Sequence, residues 1–329
     1  MSKPSGAGAN ATIVLLMLAM IAVPAGLSLH TVKTAATLSV ADANPTPYGY
    51  TVSLLLFIAP IVVIGCWLLP GENLSLPRRA FWWTIGILVP FGFGLDFFCA
   101  TRFFYFKNSL ATLGIPAPAL GGSVPLEEYV FYFTGFIAIL LIYVWSDEYW
   151  LAAYNVPDYP VEARNLKRLF AFHPQSLAVG VVLIGAAVLY KRFVAPTHDG
   201  FPSYFTVLVA LGLIPSLGLF PTARGFINWR AFSLTIFMVL LISIFWEATL
   251  AIPYGWWGYQ EKAMMGLSIG AWAGLPIEAV IVWIAVTYAT VMVFEVVKIW
   301  KSSGRSARDA FVGPKPPAPA LIQGHTAGR

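Results

Sequence analysis

Two pairs of acidic residues recur at the same spacing in the two halves of the chain. Asp96 and Glu127 are 31 residues apart, as are Glu247 and Glu278, and an offset of 151 residues superimposes the pairs. Each pair begins at the end of a long apolar run and finishes at the start of the next. A carboxyl group at membrane depth costs several kcal/mol, so it is a functional candidate by default. The matched pairs predict one acidic site at the interface of a duplicated bundle.

Paired carboxyl groups in an apolar setting are suited to proton transfer, with one acid donating and another orienting the donor or accepting the proton. Protonation of an alkene needs a dry acid, and a carboxyl kept neutral by burial is a suitable donor. Aromatic faces can stabilise the resulting carbocation by about 0.5–2 kcal/mol each. The candidate rings are Phe104, Tyr105, Phe106, Trp246, Trp256, Trp257 and Tyr259. The alternative for these rings is anchoring at the membrane surface.

A Pro-x-Glu motif begins the apolar run that follows each aromatic loop. Pro125 and Pro276 suit the first turn of a helix, where a missing N–H costs nothing. Glu127, Glu128 and Glu278 then lie in that first turn, where the helix dipole favours a carboxylate. The alternative to a catalytic role is that these acids only complete the helix ends.

The symmetry of the two motifs generates a specific expectation. Glu127 and Glu278 occupy equivalent positions, so both are predicted to face the shared cavity, and replacing either by Gln is predicted to remove most activity. Glu128 has no acidic counterpart, because Ala279 stands at the matching position. Its role is therefore left open between function and helix capping.

Composition indicates an all-α polytopic membrane protein. Hydrophobic residues make up 58% of the chain and charged residues 11%, with a mean hydropathy of +0.75, which excludes an ordinary soluble domain. A span needs about 20 apolar residues. Eight stretches qualify, near 11–29, 49–69, 80–99, 124–145, 176–194, 203–221, 231–251 and 275–300. A cleaved signal peptide is the alternative for the first stretch.

The offset divides the eight predicted helices into two repeats of four, at 1–150 and 151–301. An even number of helices per repeat means that both insert in the same orientation, which gives parallel repeats. A polar connector is expected at 146–175, where Asp147, Glu148, Asp158 and Glu162 occur. The proline-rich tail, 302–329, is predicted to be a disordered cytoplasmic segment because it cannot bury a core.

Charge predicts orientation rather than a charged partner. With eight spans, fourteen of the 20 Lys and Arg residues fall on the face that carries both termini. The positive-inside rule then places both termini in the cytoplasm, and a bacterial inner membrane is the expected location. The basic balance does not indicate nucleic-acid binding. Cys66 and Cys99 lie in apolar runs, so neither a disulfide nor a metal site is predicted.

The order of motifs resembles the integral-membrane lycopene cyclases, the flavin-independent heterodimeric or fused carotenoid cyclases. In that family an acid ends one helix, an aromatic loop with glycines follows, and Pro-x-Glu-Glu begins the next helix. The second half reads Trp246-Glu247, Gly255-Trp256-Trp257-Gly258-Tyr259 and Leu275-Pro276-Ile277-Glu278. The first half reads Leu95-Asp96, Phe104-Tyr105-Phe106 and Val124-Pro125-Leu126-Glu127-Glu128. The resemblance covers roughly 80–145 and 231–300.

The resemblance implies cyclisation of the open end of a linear carotenoid or related isoprenoid, and a fold remotely similar to the intramembrane prenyltransferases. The reaction is a redox-neutral isomerisation, so no cofactor is expected, and the chain lacks a Gly-x-Gly-x-x-Gly fingerprint. The chain departs from the family pattern at Ala279, at Glu247 in place of Asp, and in the first loop, where Phe replaces Trp.

Two other classes of function remain open at this point. A metal-dependent membrane prenyltransferase would use Asp-x-x-x-Asp to hold Mg²⁺ on a diphosphate, but Ala100 and Ala251 stand four residues beyond Asp96 and Glu247. A non-catalytic lipid or isoprenoid carrier would use the acids only to seal helix ends.

Overall fold

A computed structural model of the chain describes residues 6–31, 46–155 and 168–313. Within these ranges the protein is mostly helical, and seven helices are long and apolar enough to cross a membrane. They are α2 (Gly49–Leu68), α3 (Ser75–Phe103), α4 (Leu126–Trp145), α5 (Pro174–Phe193), α6 (Ser203–Ala223), α7 (Trp229–Trp246) and α8 (Glu278–Ser303). Two of them, α4 and α7, continue as single π-helical turns, Ser146–Trp150 and Glu247–Ala251.

The first predicted stretch, 11–29, lies in α1 (Gly6–Thr31), whose apolar portion, Val14–Ser28, is shorter than the seven candidate spans. Each of the other seven predicted stretches overlaps one of α2 to α8, with differences of a few residues at the ends. The chain is therefore a mostly helical, polytopic membrane protein, as its composition predicts.

Large apolar side chains remain on the outside of the bundle. Leu55 and Val62 on α2, Phe91 on α3 and Val182 on α5 have about half or more of their surface exposed. Contiguous apolar surface of this kind is a liability in water but is the ordinary outer surface of a protein in lipid. The helical backbone meets the second requirement of a bilayer, because helices satisfy most of their N–H and C=O groups within their own segment.

The last long helix, α8, forms the centre of the bundle. It packs most extensively on α6 and also contacts α3, α4 and α7. Its middle and final turns are almost completely enclosed, from Ala285 to Ile299. Because helices from both halves meet on α8, its first turn, which carries Glu278, is placed next to the loops that follow α3 and α7.

Those two loops pair with each other at one end of the bundle. A short strand after α3, β1 (Phe104–Tyr105), is antiparallel to β4 (Gly258–Tyr259), which follows the π-helical turn of α7. In this register Phe104 lies opposite Tyr259. Further hydrogen bonds join the loops on either side of the strands. The pairing brings the end of α3 and the start of α4 to the same end as the end of α7 and the start of α8.

Both loops follow the same order of elements, namely a strand, a 3₁₀ turn, a two-stranded hairpin and then a membrane helix. In the first loop the turn is Ser109–Ala111 and the hairpin is β2 (Pro116–Ala119) with β3 (Gly122–Pro125). In the second the turn is Glu261–Ala263 and the hairpin is β5 (Ser268–Ile269) with β6 (Leu275–Pro276). The sequence correspondence between the two halves therefore extends to local structure.

A buried cluster of charges lies near the other end of the bundle. Lys298 on α8 contacts Asp147 at 3.4 Å and Glu295 at 3.3 Å, and all three side chains are at most 2% exposed. Asn228 donates to the second oxygen of Asp147 at 2.9 Å, and Tyr143 donates to Glu295 at 2.8 Å. The cluster ties α4, the start of α7 and α8 together through hydrogen-bonded charges.

This cluster corrects the expected polar connector. Asp147 was assigned to a solvated link beginning at residue 146, but it lies in the π-helical turn that extends α4 and is only 2% exposed. A charge is found so deeply buried when a partner and hydrogen bonds compensate its lost hydration, and Lys298 and Asn228 supply these. Glu148 lies in the same turn and is partly exposed, and the remaining connector acids, Asp158 and Glu162, lie outside the described residues.

Residues 302–313 correct the first part of the predicted disordered tail. After α8 the chain forms a short helix, α9 (Ala307–Phe311), in which Ala310 is completely buried. The carbonyl of Ala310 accepts a hydrogen bond from the N–H of Leu169 at 2.8 Å. The sequence signal misled because the four prolines of the tail all lie beyond residue 313. Residues 314–329 lie outside the described part of the chain.

The charged cluster generates a stability prediction. Replacing Lys298 by Met leaves two buried carboxylates without their cation, and breaking a buried ion pair in this way costs about 3–5 kcal/mol. We expect a clearly lower midpoint of thermal unfolding for Lys298→Met in detergent. The control is Lys262→Met, at an exposed lysine. An unchanged midpoint for Lys298→Met would show that the cluster does not stabilise the bundle.

Candidate active site

A cavity of about 60 Å³ lies between α4, α7, α8 and the paired loops. Two carboxyl groups line it, Glu128 from the first half and Glu247 from the second. The rest of its wall is mainly aromatic, including Tyr50, Phe131, Tyr204, Trp246, Trp257 and Trp283. The site therefore combines the two kinds of group that the sequence indicates, acids and rings.

Glu128 lies in the first turn of α4 and is 7% exposed. One of its carboxyl oxygens accepts a hydrogen bond of 2.6 Å from the hydroxyl of Tyr50, at the start of α2. Among the described residues, no Lys or Arg forms an ion pair with this carboxyl. Glu128 is thus an acid in an aromatic enclosure, held by one neutral donor.

Glu247 begins the π-helical turn that follows α7 and is 5% exposed. The same oxygen accepts hydrogen bonds from the indole N–H of Trp257, at 3.1 Å, and from the hydroxyl of Tyr259. Burial, and next the nearby Glu247 carboxyl, raise the pKa of the Tyr259 hydroxyl well above its usual value. Tyr259 therefore keeps its proton and acts as a donor. Two neutral donors on one carboxyl suit it to carry negative charge.

Glu127 and Glu278 have a different role in the structure. One oxygen of Glu127 accepts the backbone N–H of Leu113 at 2.7 Å and the hydroxyl of Thr51 at 2.5 Å. One oxygen of Glu278 accepts the backbone N–H of Met265 at 2.5 Å. Leu113 lies 14 residues before its acid and Met265 lies 13 before its own, so each carboxyl fastens the loop segment that precedes the hairpin to the helix start.

The expectation that Glu127 and Glu278 both face the shared cavity is therefore corrected, because the acids that line it are Glu128 and Glu247. The physical reason is helix geometry, since adjacent residues in a first turn point about 100° apart. One side chain of Glu127-Glu128 can reach back to its loop while the other points into the bundle. In the second half the second position is Ala279, and the cavity acid comes from α7 instead.

Asp96 lies in the last turns of α3 and is 2% exposed. Neither of its carboxyl oxygens has a hydrogen-bond partner in the described structure. It interacts electrostatically with Glu128 and with Tyr132, both of which line the cavity, although Asp96 itself does not. Asp96 is therefore a neighbour of the cavity acid rather than the counterpart of Glu247 that the sequence offset indicates.

The seven predicted aromatic residues divide into two groups. Phe104, Trp246, Trp257 and Tyr259 line the acidic cavity. Of the other three, Tyr105 lines a second cavity, Phe106 packs against the first hairpin, and Trp256 is buried against Tyr50. Strand geometry explains why Phe104 and Tyr105 line different cavities, because neighbouring residues in β1 point to opposite faces of the strand.

Sequence reasoning missed several rings of the cavity. Tyr50 and Tyr204 lie in the first turns of α2 and α6, outside the motifs that were compared. Phe131 and Tyr132 lie three and four residues after Glu128 on α4, which places them on the same face of that helix. Helical spacing from the Pro-x-Glu-Glu motif would have identified the last two, whereas only tertiary packing shows that Tyr50 reaches Glu128.

A second cavity, of about 400 Å³, lies among the loops on the outer side of the site. It is lined by Tyr105, Lys107 and Glu261 among others, and is more polar than the first. Trp257 and Tyr259 line both cavities. These two side chains, which also hold Glu247, separate the acidic cavity from the loop cavity.

No group of three or more His, Cys, Asp or Glu side chains in the described ranges is arranged to hold a metal ion. Comparison with protein-family models, with curated proteins and with solved structures finds no match to this chain. A function for the protein must therefore be argued from the geometry of the site.

The anchoring role of Glu127 generates a prediction. Glu127→Ala removes the acceptor of the Leu113 N–H and the Thr51 hydroxyl, and a buried donor without its partner costs about 1–3 kcal/mol. We expect a lower thermal midpoint and faster proteolysis within 104–125. Glu127→Gln keeps an acceptor oxygen and should have a smaller effect, and Glu261→Ala, at an exposed acid, serves as the control. Equal stability of Glu127→Ala and the parent protein would refute the anchoring role.

Proposed function

We propose that the protein is a membrane-embedded isoprenoid cyclase, which closes a ring at the open end of a linear carotenoid-type molecule by acid-initiated, redox-neutral isomerisation. The observation that carries the proposal is one enclosed cavity in which Glu128 and Glu247, from different halves of the chain, face a wall of aromatic rings. The motif resemblance to the membrane lycopene cyclases supports the same chemistry. The cavity supplies the three requirements of that reaction, namely a proton donor, a proton acceptor and a non-nucleophilic wall.

Glu128 is the proposed acid. Its proton adds to the terminal alkene of the substrate, and the positive charge develops on the more substituted carbon. An internal double bond then attacks that carbon, so that one carbon–carbon bond forms and a ring closes. Glu128 suits the first step because it has a single neutral hydrogen-bond donor and, among the described residues, no cationic partner. A general acid or base contributes typically 10²–10⁴-fold to a rate.

Glu247 is the proposed base. It removes a proton from a carbon next to the cation, which restores a double bond, so the substrate and product have the same composition. Trp257 and Tyr259 both donate to its carboxyl and stabilise the charge that it carries before the transfer. The proton must then return from Glu247 to Glu128, and both acids line the same cavity.

The aromatic wall protects the cationic intermediate. The rings of Tyr50, Trp246 and Trp257 are mutually close, with centroid separations of 5.1–5.9 Å, and Phe131 lies 5.5 Å from Trp246. Ring faces attract a cation electrostatically without forming a bond to it. The same rings exclude water, which would otherwise trap the cation as an alcohol.

The proposal includes the architecture expected from the sequence. Two parallel four-helix repeats, 1–150 and 151–301, are supported by the identical order of elements in the two loops and by the matched loop anchors of Glu127 and Glu278. The excess of Lys and Arg on the side of the termini supports a cytoplasmic location for both ends, with the acidic cavity near the opposite face of a bacterial inner membrane.

Substitution of the cavity acids tests the mechanism. Gln keeps the shape of Glu but cannot transfer the proton, so Glu128→Gln and Glu247→Gln should each lower turnover by about 100-fold or more. The measurement is cyclised product from lycopene in membranes that contain equal amounts of each variant. Glu127→Gln, which changes the adjacent anchoring acid, should reduce turnover far less, and Glu261→Gln should leave it unchanged.

Several outcomes would contradict this mechanism. Near-normal turnover by Glu128→Gln or Glu247→Gln would remove that acid from the reaction. Complete loss with Glu127→Gln but not with Glu128→Gln would restore the pair that sequence symmetry indicates. Absence of cyclised product from the parent protein would favour a non-catalytic isoprenoid carrier.

Metal dependence provides a separate test. Transfer of a prenyl diphosphate requires divalent cations on the diphosphate, whereas the proposed cyclisation is a proton transfer between carboxyl groups. We expect the purified protein to form product at an unchanged rate with EDTA present and without added flavin. Activity that EDTA abolishes and Mg²⁺ restores would identify a prenyltransferase instead.

A further inference from the structure

The acidic cavity continues into two further apolar cavities that run along α4. The first lies beside it and shares five lining residues with it, which are Phe131, Gly135, Ser243, Trp246 and Trp283. The second follows and shares Met20, Ile61, Ala138, Ile142 and Ile242 with the first. The three spaces therefore form a series in which each borders the next through common side chains. We call the two apolar cavities the α4 groove.

One face of α4 lines the whole series. Beginning at Glu128, the lining residues on this helix that follow one another at intervals of three or four are Phe131, Gly135, Ala138, Ile142 and Trp145. Intervals of three and four residues keep side chains on one face of a helix. At 1.5 Å of rise per residue, this face extends roughly 26 Å from Glu128 to Trp145, which is most of the ~30 Å thickness of a bilayer core.

The composition of the groove excludes a polar occupant. No charged side chain lines either of its two cavities, and Thr134 and Ser243 are its only hydroxyl-bearing residues. The Thr134 hydroxyl already donates to the carbonyl of Val130 at 2.8 Å. The groove is also narrow, with volumes of about 70 and 30 Å³. A thin, flexible and wholly apolar chain fits this shape better than a compact ligand.

The smallest side chains of the face lie in its middle. A Cβ placed on Gly135 would meet only the ring of Trp283, at 3.9 Å, so the space over this position is open to a ligand. Ala138 lies one turn further and lines both apolar cavities. Larger residues at these two positions would close the passage that connects the acids to the far end.

We propose that the α4 groove holds the linear tail of the isoprenoid whose open end lies between Glu128 and Glu247. The inference rests on the proposed function and adds the orientation and a length requirement of the substrate, which lies along α4 with its reactive end toward the paired loops. The continuity of the groove with the acidic cavity identifies this occupant. A site for a lipid acyl chain would not need to share five lining residues with the cavity of Glu128 and Glu247.

The groove also implies how the enzyme selects substrates. A long polyene gains contact along the whole face to Trp145, whereas a short isoprenoid with the same end group reaches only the acidic cavity. Apolar burial contributes roughly 25 cal/mol per Å², so the longer chain is expected to bind more tightly. The groove thus favours isoprenoids with a long chain, and the two acids recognise the end group.

Substitution at Ala138 tests the proposal. Ala138→Phe should lower binding of lycopene to the detergent-purified protein by about tenfold or more, because overpacking of a filled space is costly. Turnover of lycopene should fall by a similar factor, whereas turnover of a truncated acyclic isoprenoid with the same end group should be unchanged. Gly135→Leu is the second variant, and Ala178→Phe, at an exposed position of α5, is the control for a folding defect.

The two readouts separate the possible failures. Bound lycopene is measured by its visible absorption and ring formation by chromatography of the pigment. Loss of long-chain binding and turnover alone supports the groove. Unchanged lycopene binding in both Ala138→Phe and Gly135→Leu overturns it. An equal loss for long and short substrates in Ala138→Phe also overturns it, because Ala138 lines only the two apolar cavities. If the parent protein binds lycopene without cyclising it, the proposed function fails while the groove remains testable by binding.

Discussion

The cost of placing carboxyl groups at the ends of apolar helices governs the arrangement of this protein. Five acids cluster at one end of the bundle, and each would be expensive there without compensation. Backbone N–H groups of the loops meet Glu127 and Glu278, while phenol and indole donors meet Glu128 and Glu247. The loops between helices therefore supply most of the donors for four of these acids. Asp96, the fifth acid, has no hydrogen-bond partner among the described residues.

The same requirement separates structural from chemical acids. A carboxyl bonded to a backbone N–H of a loop holds that loop to a helix. A carboxyl bonded only to neutral side chains and facing an aromatic cavity can change its protonation state without unfastening the backbone. Glu127 and Glu278 belong to the first kind, and Glu128 and Glu247 belong to the second. The anchoring contact thus recurs in both halves, while the cavity is lined by one acid from each half at non-equivalent positions.

At the opposite end of the bundle, buried carboxyl groups are compensated by a cation. Asp147 and Glu295 are compensated by Lys298, a cation on the same central helix, together with Asn228 and Tyr143. Ionic compensation fixes the charges and rigidifies the helices around them. The acids of the cavity are met by neutral donors instead. Between the two ends lie the apolar cavities along α4, so the proposed tail-binding face and the proposed proton-transfer site share one helix.

The sequence by itself determined the membrane class, the approximate positions of seven spans, the pairing of acids with aromatic loops and the cavity rings Phe104, Trp246, Trp257 and Tyr259. These follow from hydropathy, motif spacing and composition, which are properties of local sequence. Only the tertiary structure decided that Glu128 rather than Glu127 enters the cavity, that Tyr50 reaches it from α2, and that Asp147 is buried with Lys298. Such choices depend on which face of each helix meets its neighbours, and packing between distant segments sets that rotation.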